Sequence, residues 1–240
     1  MNSRSARSNK NSIDPEDIWL EWKTGGLIPL TEDGDPYNYI QVINGSILLR
    51  ADDVNAESKD QLIGGFRLKL MEVDAAINAG VDVFDVFDSD NSETHQIYNA
   101  LFDEDSWPFK ESVLEIVGDD PAFTQNVLIL DRLGILPEFR GQRLGLLVMH
   151  RLIQQFGGRT GMIALDPAPF VYSLETLQKQ EWPTSEVNED DPSVETLRAY
   201  YRLLGCADLP GTPIMALSPV YNLPPVSKIK KKGEPTDNQL

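Results

Sequence analysis

Cysteine is almost absent from this chain. Cys206 is the one thiol in 240 residues, which excludes an internal disulfide framework and suits a reducing compartment. Histidine is nearly as scarce, with only His95 and His150. Neither sits in a metal-ligand spacing, and no Ser-His-Asp arrangement is recognisable, so no metal site is expected. No apolar run approaches the length needed to span a bilayer, and the first residues are polar. A cytoplasmic protein with no membrane partner is expected. Positive charge is short as well: 21 basic residues stand against 38 acidic ones, a formal charge of −17. Phosphate neutralisation needs a basic face, so this balance disfavours nucleic acid as a partner and favours cationic or neutral small ones.

What is present is enough apolar material, 41% of the residues, for one sizeable core. The charge is also uneven. Between Val127 and Ile163 five arginines (132, 140, 143, 151 and 159) face only Asp131 and Glu138, a local excess of +3. A cationic island in an acidic protein points to an anionic ligand, although arginines of this kind also pair with neighbouring carboxylates. The island falls on a strand-like run, Leu128 to Ile135, then the turn Leu136-Pro137-Glu138-Phe139, then Arg140-Gly141-Gln142-Arg143-Leu144-Gly145 and an apolar-periodic helix to Phe156. Such a turn aims backbone N–H groups at one point beside a helix N-terminus, where a pyrophosphate fits.

Elsewhere the pattern is that of a mixed α/β chain. Residues 1–12 are polar and without periodicity, an expected disordered tail. Ile13 to Trp22 is expected as a short helix, capped by Asp14 and opened by Pro15. Tyr39–Ile43 and Ser46–Arg50 read as strands around an Asn44-Gly45 turn, and Leu62–Val73 as a longer strand. Val81–Phe87 is a short apolar-acidic run. Asp88 or Ser89 is expected to cap the helix carrying Ile97, Leu101 and Phe102. The same acidic stretch lacks the glycine a calcium loop needs at its sixth position, where Glu93 stands. Gly161–Leu165 is a further strand. Val171–Pro192 is an acidic insertion and a candidate acceptor lid. Ser193 caps a helix bearing Val194, Leu197, Tyr201 and Leu204, which ends at Gly205. Cys206–Leu209 and Ile214–Leu217 form a terminal hairpin. From Ser227 a basic, disordered tail to residue 240 is expected, so residues 13–226 constitute the folded domain.

The run from Ile135 to Gly145 resembles the acetyl-CoA signature of the GNAT superfamily of N-acetyltransferases. Arg140 and Gly145 match, Gly141 fits a variant, and Arg143 replaces the middle glycine. Leu197 to Cys206 is similar to the same family's late helix, with Tyr201 four residues before Gly205 and Cys206 where phenylalanine is usual. The resemblance extends from about Asn126 to Leu217. It implies a GNAT acyl-CoA N-acyltransferase fold, a mostly antiparallel sheet splayed at its centre with helices on both faces. It further implies that acetyl-CoA is the cosubstrate, held at its acyl and pantetheine portion by amides around Leu133 to Ile135. The amides of Arg140, Gly141, Gln142, Arg143, Leu144 and Gly145 would hold the pyrophosphate. Tyr201 would protonate the leaving sulfur, Tyr200 being one residue out of register. By period-two alternation Asp131 shares a face with Leu133 and Ile135, so it is either the base that deprotonates the amine or the partner of Arg132, Arg67 or Lys69. A water relay is the alternative base. The implied activity is direct N-acetyl transfer to an amine of a cationic small molecule or a protein lysine, with a homodimer allowed. Two alternatives stay open: a GNAT-like module that binds acyl-CoA or a nucleotide without catalysis, and an RNA-directed acetyltransferase, which the acidic surface disfavours.

Overall fold

In the computed structural model, which describes residues 13–25, 34–50, 60–103, 108–118, 124–170, 173–182, 192–219 and 223–229, the first element departs from expectation. The Asp14 carboxylate does accept the Glu16 N–H at 3.0 Å, and Pro15–Asp17 make one 3-10 turn. The helix stops there. The chain then extends as β1 (Ile18–Gly25), paired antiparallel along its length with β2 (Ile40–Leu49). A helix of one or two turns is marginal by itself, whereas strand pairing satisfies the same backbone groups.

The Asn44-Gly45 turn is also overturned, because β2 runs straight through it. Glycine is required there by a close approach. A Cβ on Gly45 would stand 2.2 Å from Phe66 Cζ and 2.6 Å from the Glu21 carbonyl. Asn44 is held by tertiary structure too, its Oδ1 accepting from Trp182 Nε1 at 3.1 Å. The expected strand at Leu62–Val73 is β3 (Gln61–Met71), antiparallel to β2.

Four short helices follow, α1 (Val73–Ala79), α2 (Val83–Asp88), α3 (Ser92–Leu101) and α4 (Glu111–Val117). Helices α1, α2 and α4 were not anticipated; they span seven, six and seven residues, too few for a helical period to stand out. Neither Asp88 nor Ser89 caps α3. Asn91 does, in a reciprocal capping box with Thr94.

The central segment follows the expected order: β4 (Val127–Ile135), a 3-10 turn at Pro137–Phe139, α5 (Leu144–Phe156) and β5 (Met162–Leu165). Part of the acidic insertion forms α6 (Leu174–Lys179), whose Leu177 lies with Trp182 over Gly65 of β3. The late helix, α7 (Pro192–Arg202), already includes Ser193. The terminal hairpin is β6 (Ala207–Asp208) and β7 (Met215–Leu217). The tail boundary at Ser227 falls inside α8 (Val226–Ile229), where Ile229 is fully buried.

The seven strands form one sheet in the order β1-β2-β3-β4-β5-β7-β6, antiparallel except between β4 and β5. One face carries the core shared with α1 to α4, including Phe87, Leu101 and Phe102. The other carries the core shared with α5 and α7, including Phe66, Leu146 and Leu204. This is a mixed α+β fold with both sheet faces covered. Among the described residues no helix is long and apolar enough to cross a membrane.

Candidate functional site

The two parallel strands meet over only three residue pairs, Val127 to Ile129 against Met162 to Ala164, although β4 continues to Ile135. Two local causes open the fork. On β5 the chain runs out at Leu165 into Asp166-Pro167-Ala168-Pro169, and a proline has no N–H for a ladder. On β4 the register against β3 jumps from Arg132 opposite Arg67 to Leu130 opposite Leu68, which leaves Asp131 as a bulge. A bulge bends its strand and sharpens the twist. It also changes which residues face the α5 core: Leu128 and Leu130 before it, Leu133 and Ile135 after it.

Between the diverging strands lies a cleft of about 740 Å³, closed by the start of α5 and by α7. Its walls are mostly apolar, with Leu133, Ile135, Leu165, Phe170, Tyr200 and Tyr201 among them. This is within the size of small-molecule sites, about 300–1,000 Å³.

At one end of the cleft stands the arginine-rich turn. Gly141 has φ +84°, and Arg143, the N-cap of α5, has φ +60° and ψ +17°. The left-handed backbone at Arg143 explains why glycine suits this position, and an arginine tolerates it at a cost of about 1–2 kcal/mol. Among the described residues no side chain caps α5 at its N-cap. The amides of Gln142, Arg143, Leu144 and Gly145 have no acceptor among those residues. The Arg140 amide is different: it donates to Pro137 O at 3.2 Å within the 3-10 turn and is not part of the open set. The Arg140 side chain turns back instead, its Nε donating to Ile135 O at 2.7 Å at the free edge of β4. The Gln142 side chain faces the N-terminal segment, Oε1 accepting from Ile13 N at 2.8 Å. Arg143 Nη1 donates to Ile229 O at 3.0 Å.

Of the five arginines in the cationic island, Arg132 pairs with carboxylates, those of Asp131 and Glu93. Among the described residues no carboxylate lies within ion-pair distance of Arg140 or Arg143, both of which line the cleft. The helix N-terminus and two guanidinium groups therefore concentrate positive potential on one end of it.

The two tyrosines divide their tasks in a way the spacing did not reveal. Tyr201 lines the cleft. Tyr200 lines it too, and its hydroxyl accepts the Leu146 N–H of α5 at 3.1 Å. Burial pushes the Tyr200 phenol above its ordinary value of 10.0, against smaller opposing effects of the Leu146 N–H and the Arg143 charge. Tyr200 thus ties α7 to the first turn of α5. A Cβ on Gly145 would come within 3.0 Å of that hydroxyl, so the glycine admits the tyrosine. No local pattern signals a contact between residues so distant in the chain.

Asp131 is not where alternation placed it. As the bulged residue it contributes to the cleft wall, but its carboxylate turns to the opposite side from Leu133 and Ile135, toward Arg67 and Lys69. It accepts from Arg67 Nε, from Arg132 Nη1 at 3.0 Å, and lies 3.6 Å from Lys69 Nζ. Lys69, itself 2% exposed, bridges on to Asp90 at 2.5 Å. Arg67, Lys69 and Arg132 thus surround this one buried carboxylate. Of its two expected roles, the ion pair is the one the geometry displays.

No family model matches the chain, and no curated protein and no solved structure matches it either.

Proposed function

We propose that this protein is an acetyl-CoA-dependent N-acetyltransferase of the GNAT type. The observation that carries the reading is the β4/β5 fork, which opens beside the uncapped N-terminus of α5. A parallel pair that separates in mid-sheet leaves strand-edge amides without a partner strand, and a thioester carbonyl is a suitable acceptor for them. The donor set suits the rest of such a ligand. Four consecutive amides from Gln142 to Gly145 lack protein acceptors among the described residues, and Arg143 and Arg140 flank them. These are hard, cationic and dipolar donors, the chemistry a diphosphate requires.

Acetyl-CoA supplies the acetyl group as a thioester. The chain's own residues do the remainder. The free edge of β4 at Leu133 to Ile135 orients the carbonyl and stabilises the charge that develops on its oxygen. The apolar walls exclude bulk water. The acceptor amine loses its proton to water, since Asp131 is occupied by cations, and attacks the carbonyl carbon. The new C–N bond forms as the C–S bond breaks, Tyr201 gives its hydroxyl proton to the departing sulfur, and the proton that the new amide nitrogen sheds passes through water to restore the Tyr201 hydroxyl. Tyr200 holds α7 against α5 so that Tyr201 faces the cleft. The acidic surface favours a cationic acceptor, a small-molecule amine or a protein lysine.

Titration calorimetry with CoA and acetyl-CoA, followed by thiol release across a panel of amines, tests the reading. Binding with turnover on cationic amines is expected, with Tyr201→Phe lowering kcat by about 10²–10⁴-fold while binding persists. A wild-type protein that binds neither ligand refutes it. The engaged state of Asp131 favours one second reading, a module that holds acyl-CoA without transfer. That module gives the same calorimetry and no thiol release with any amine.

A further inference from the structure

The outer strand of the sheet, β1, pairs with β2 on one side only, and a single bond fixes which of its groups point to the other side. The register of β1 on β2, continued by one residue, sets Asp17 opposite Arg50, and the Arg50 N–H donates to Asp17 O at 2.8 Å. Opposed residues of an antiparallel pair alternate between exchanging hydrogen bonds and not exchanging them. Trp19, Glu21 and Lys23 therefore bond β2, and the residues between them turn outward. Ile18 agrees, since its N–H donates to Pro15 O rather than to β2. Leu20, Trp22 and Thr24 thus direct their N–H and C=O groups out of the sheet, where none has a hydrogen-bond partner among the described residues.

The side chains of this edge are complementary to themselves. Glu21 and Lys23 lie two residues apart, so they project from one face of β1. Both are exposed, and neither has an ion-pair partner among the described residues. Edge charges commonly keep other strands away; here one charge of each sign flanks Trp22. Two copies of β1, set antiparallel on a two-fold axis at Trp22, bring each Glu21 opposite the partner's Lys23. The hydrogen-bonding phase fits the same axis. Trp22 bonds the partner's Trp22 and Leu20 bonds the partner's Thr24, outward groups meeting outward groups. Glu21 and the partner's Lys23 then form a pair without hydrogen bonds between them, where side chains stand closest. Moving the axis by one residue sets Glu21 against the partner's Glu21, or Lys23 against the partner's Lys23, and like charges directly opposite destabilise a ladder. The exposed tryptophans gain cover as well. Trp19, 52% exposed, falls opposite the partner's Gly25, where a Cβ would meet nothing within 4 Å. Trp22, edge-on to Phe156 of α5 and still 41% exposed, meets the partner's Trp22.

We infer that β1 is a dimer interface, at which a second copy of this chain extends the sheet antiparallel across a two-fold axis at Trp22. The contact uses the same patch on both copies, so it closes at two. It covers an edge that otherwise offers a template for indiscriminate strand pairing. No β1 residue lines the cleft, and the pairing fills the cleft of neither copy. The inference goes beyond the proposed acyl transfer and does not depend on it.

Sedimentation equilibrium of the full chain over a concentration series tests it, with melts to check that these exposed substitutions leave the fold intact. Wild type is expected to dimerise. Glu21→Lys and Lys23→Glu each set like charges opposite at both symmetric pairs, and each should weaken the dimer by about tenfold. The chain carrying both exchanges restores opposite charges and should dimerise within about threefold of wild type. An equimolar mixture of the two single variants should form the mixed dimer, in which every pair is again complementary. The two single variants also separate strand pairing from general repulsion in a protein of charge −17. One makes the chain less acidic and the other more, so repulsion alone would shift the two dimers in opposite directions. A wild type that stays monomeric at every concentration overturns the inference. So do single variants that dimerise as well as wild type or shift in opposite directions, and a double exchange or a mixture that fails to recover the dimer. Each of these results leaves CoA binding and turnover to be decided by their own assays.

Discussion

Arg143 offers a direct measure of how the cradle is built, through two substitutions at one position. Its backbone sits at φ +60° and ψ +17°, and its guanidinium donates to Ile229 O at 3.0 Å. Arg143→Ala removes the charged hydrogen bond and leaves a Cβ in the left-handed region. Removing a bond of this kind costs about 1.5–3 kcal/mol. Arg143→Gly removes the same bond but relieves a backbone cost of about 1–2 kcal/mol, part of which glycine's larger unfolded-state entropy offsets. The two variants thus share one loss and differ in the other, so their difference isolates the backbone. The expected order of stability is wild type, then glycine, then alanine, with glycine above alanine by about 1 kcal/mol. For a chain of this length that is about 2–4 °C in Tm. Urea melts with unchanged slope give the same comparison as a free energy. An alanine variant as stable as the glycine variant, or more so, refutes the left-handed N-cap and with it the shape assigned to the phosphate turn.

Asp131→Asn should destabilise the protein by about 3–5 kcal/mol, because it takes the carboxylate from Arg67 and leaves Lys69 and Arg132 with only Asp90 and Glu93 respectively; a melt unchanged from wild type contradicts the ion-pair role. Gly45→Ala should cost at least about 1–3 kcal/mol in a urea melt, since the Phe66 ring and the Glu21 carbonyl leave no room for a methyl group. Burial pushes the Cys206 thiol up to about 12, so a thiol reagent at pH 8 should label it only as fast as the protein opens, and prompt labelling of native protein would contradict its burial. Because this pKa is raised from an ordinary value of 9.0, its share of stability is complete below pH 9 and declines from there toward pH 12. At Asp208 partial burial works upward, but hydrogen bonds from Arg202 and Arg198 outweigh it and hold the carboxyl below its usual 3.8. Its contribution is therefore present above that value and lost as pH falls through the depressed one, and Asp208→Asn should flatten that acid limb of the stability profile.

What was legible along the chain was what local chemistry specifies. The order β4, turn, α5, β5, α7 and terminal hairpin follows from hydrophobic periodicity and from Pro137 and Gly141 at the turn, although α7 ends at Arg202, short of the Gly205 stop that the sequence suggested. The cluster of arginines on that turn was visible too, since charge is a property of composition. Asp14 was recognised as a cap because its partner, the Glu16 amide, lies two residues away. Where a partner lies far off, the same inspection failed. Asn44-Gly45 has the composition of a turn, yet Phe66 and Trp182 make it the middle of a strand.

The bulge at Asp131 shows the limit most clearly. Alternation has a period of two, and one extra residue reverses the face of everything beyond it. Nothing in Leu130-Asp131-Arg132 announces the insertion; the pairing of β3 with β4 imposes it. The sequence by itself determined that a strand would feed an arginine-bearing turn and a helix, because those steps depend on neighbours within a few residues. Only the tertiary structure decided that β5 parts from β4, that Asp131 turns away to Arg67 and Lys69, and that Tyr200 and Ile229 anchor the head of α5. Each of those outcomes depends on groups brought together from distant parts of the chain, whose contact energies no local pattern records.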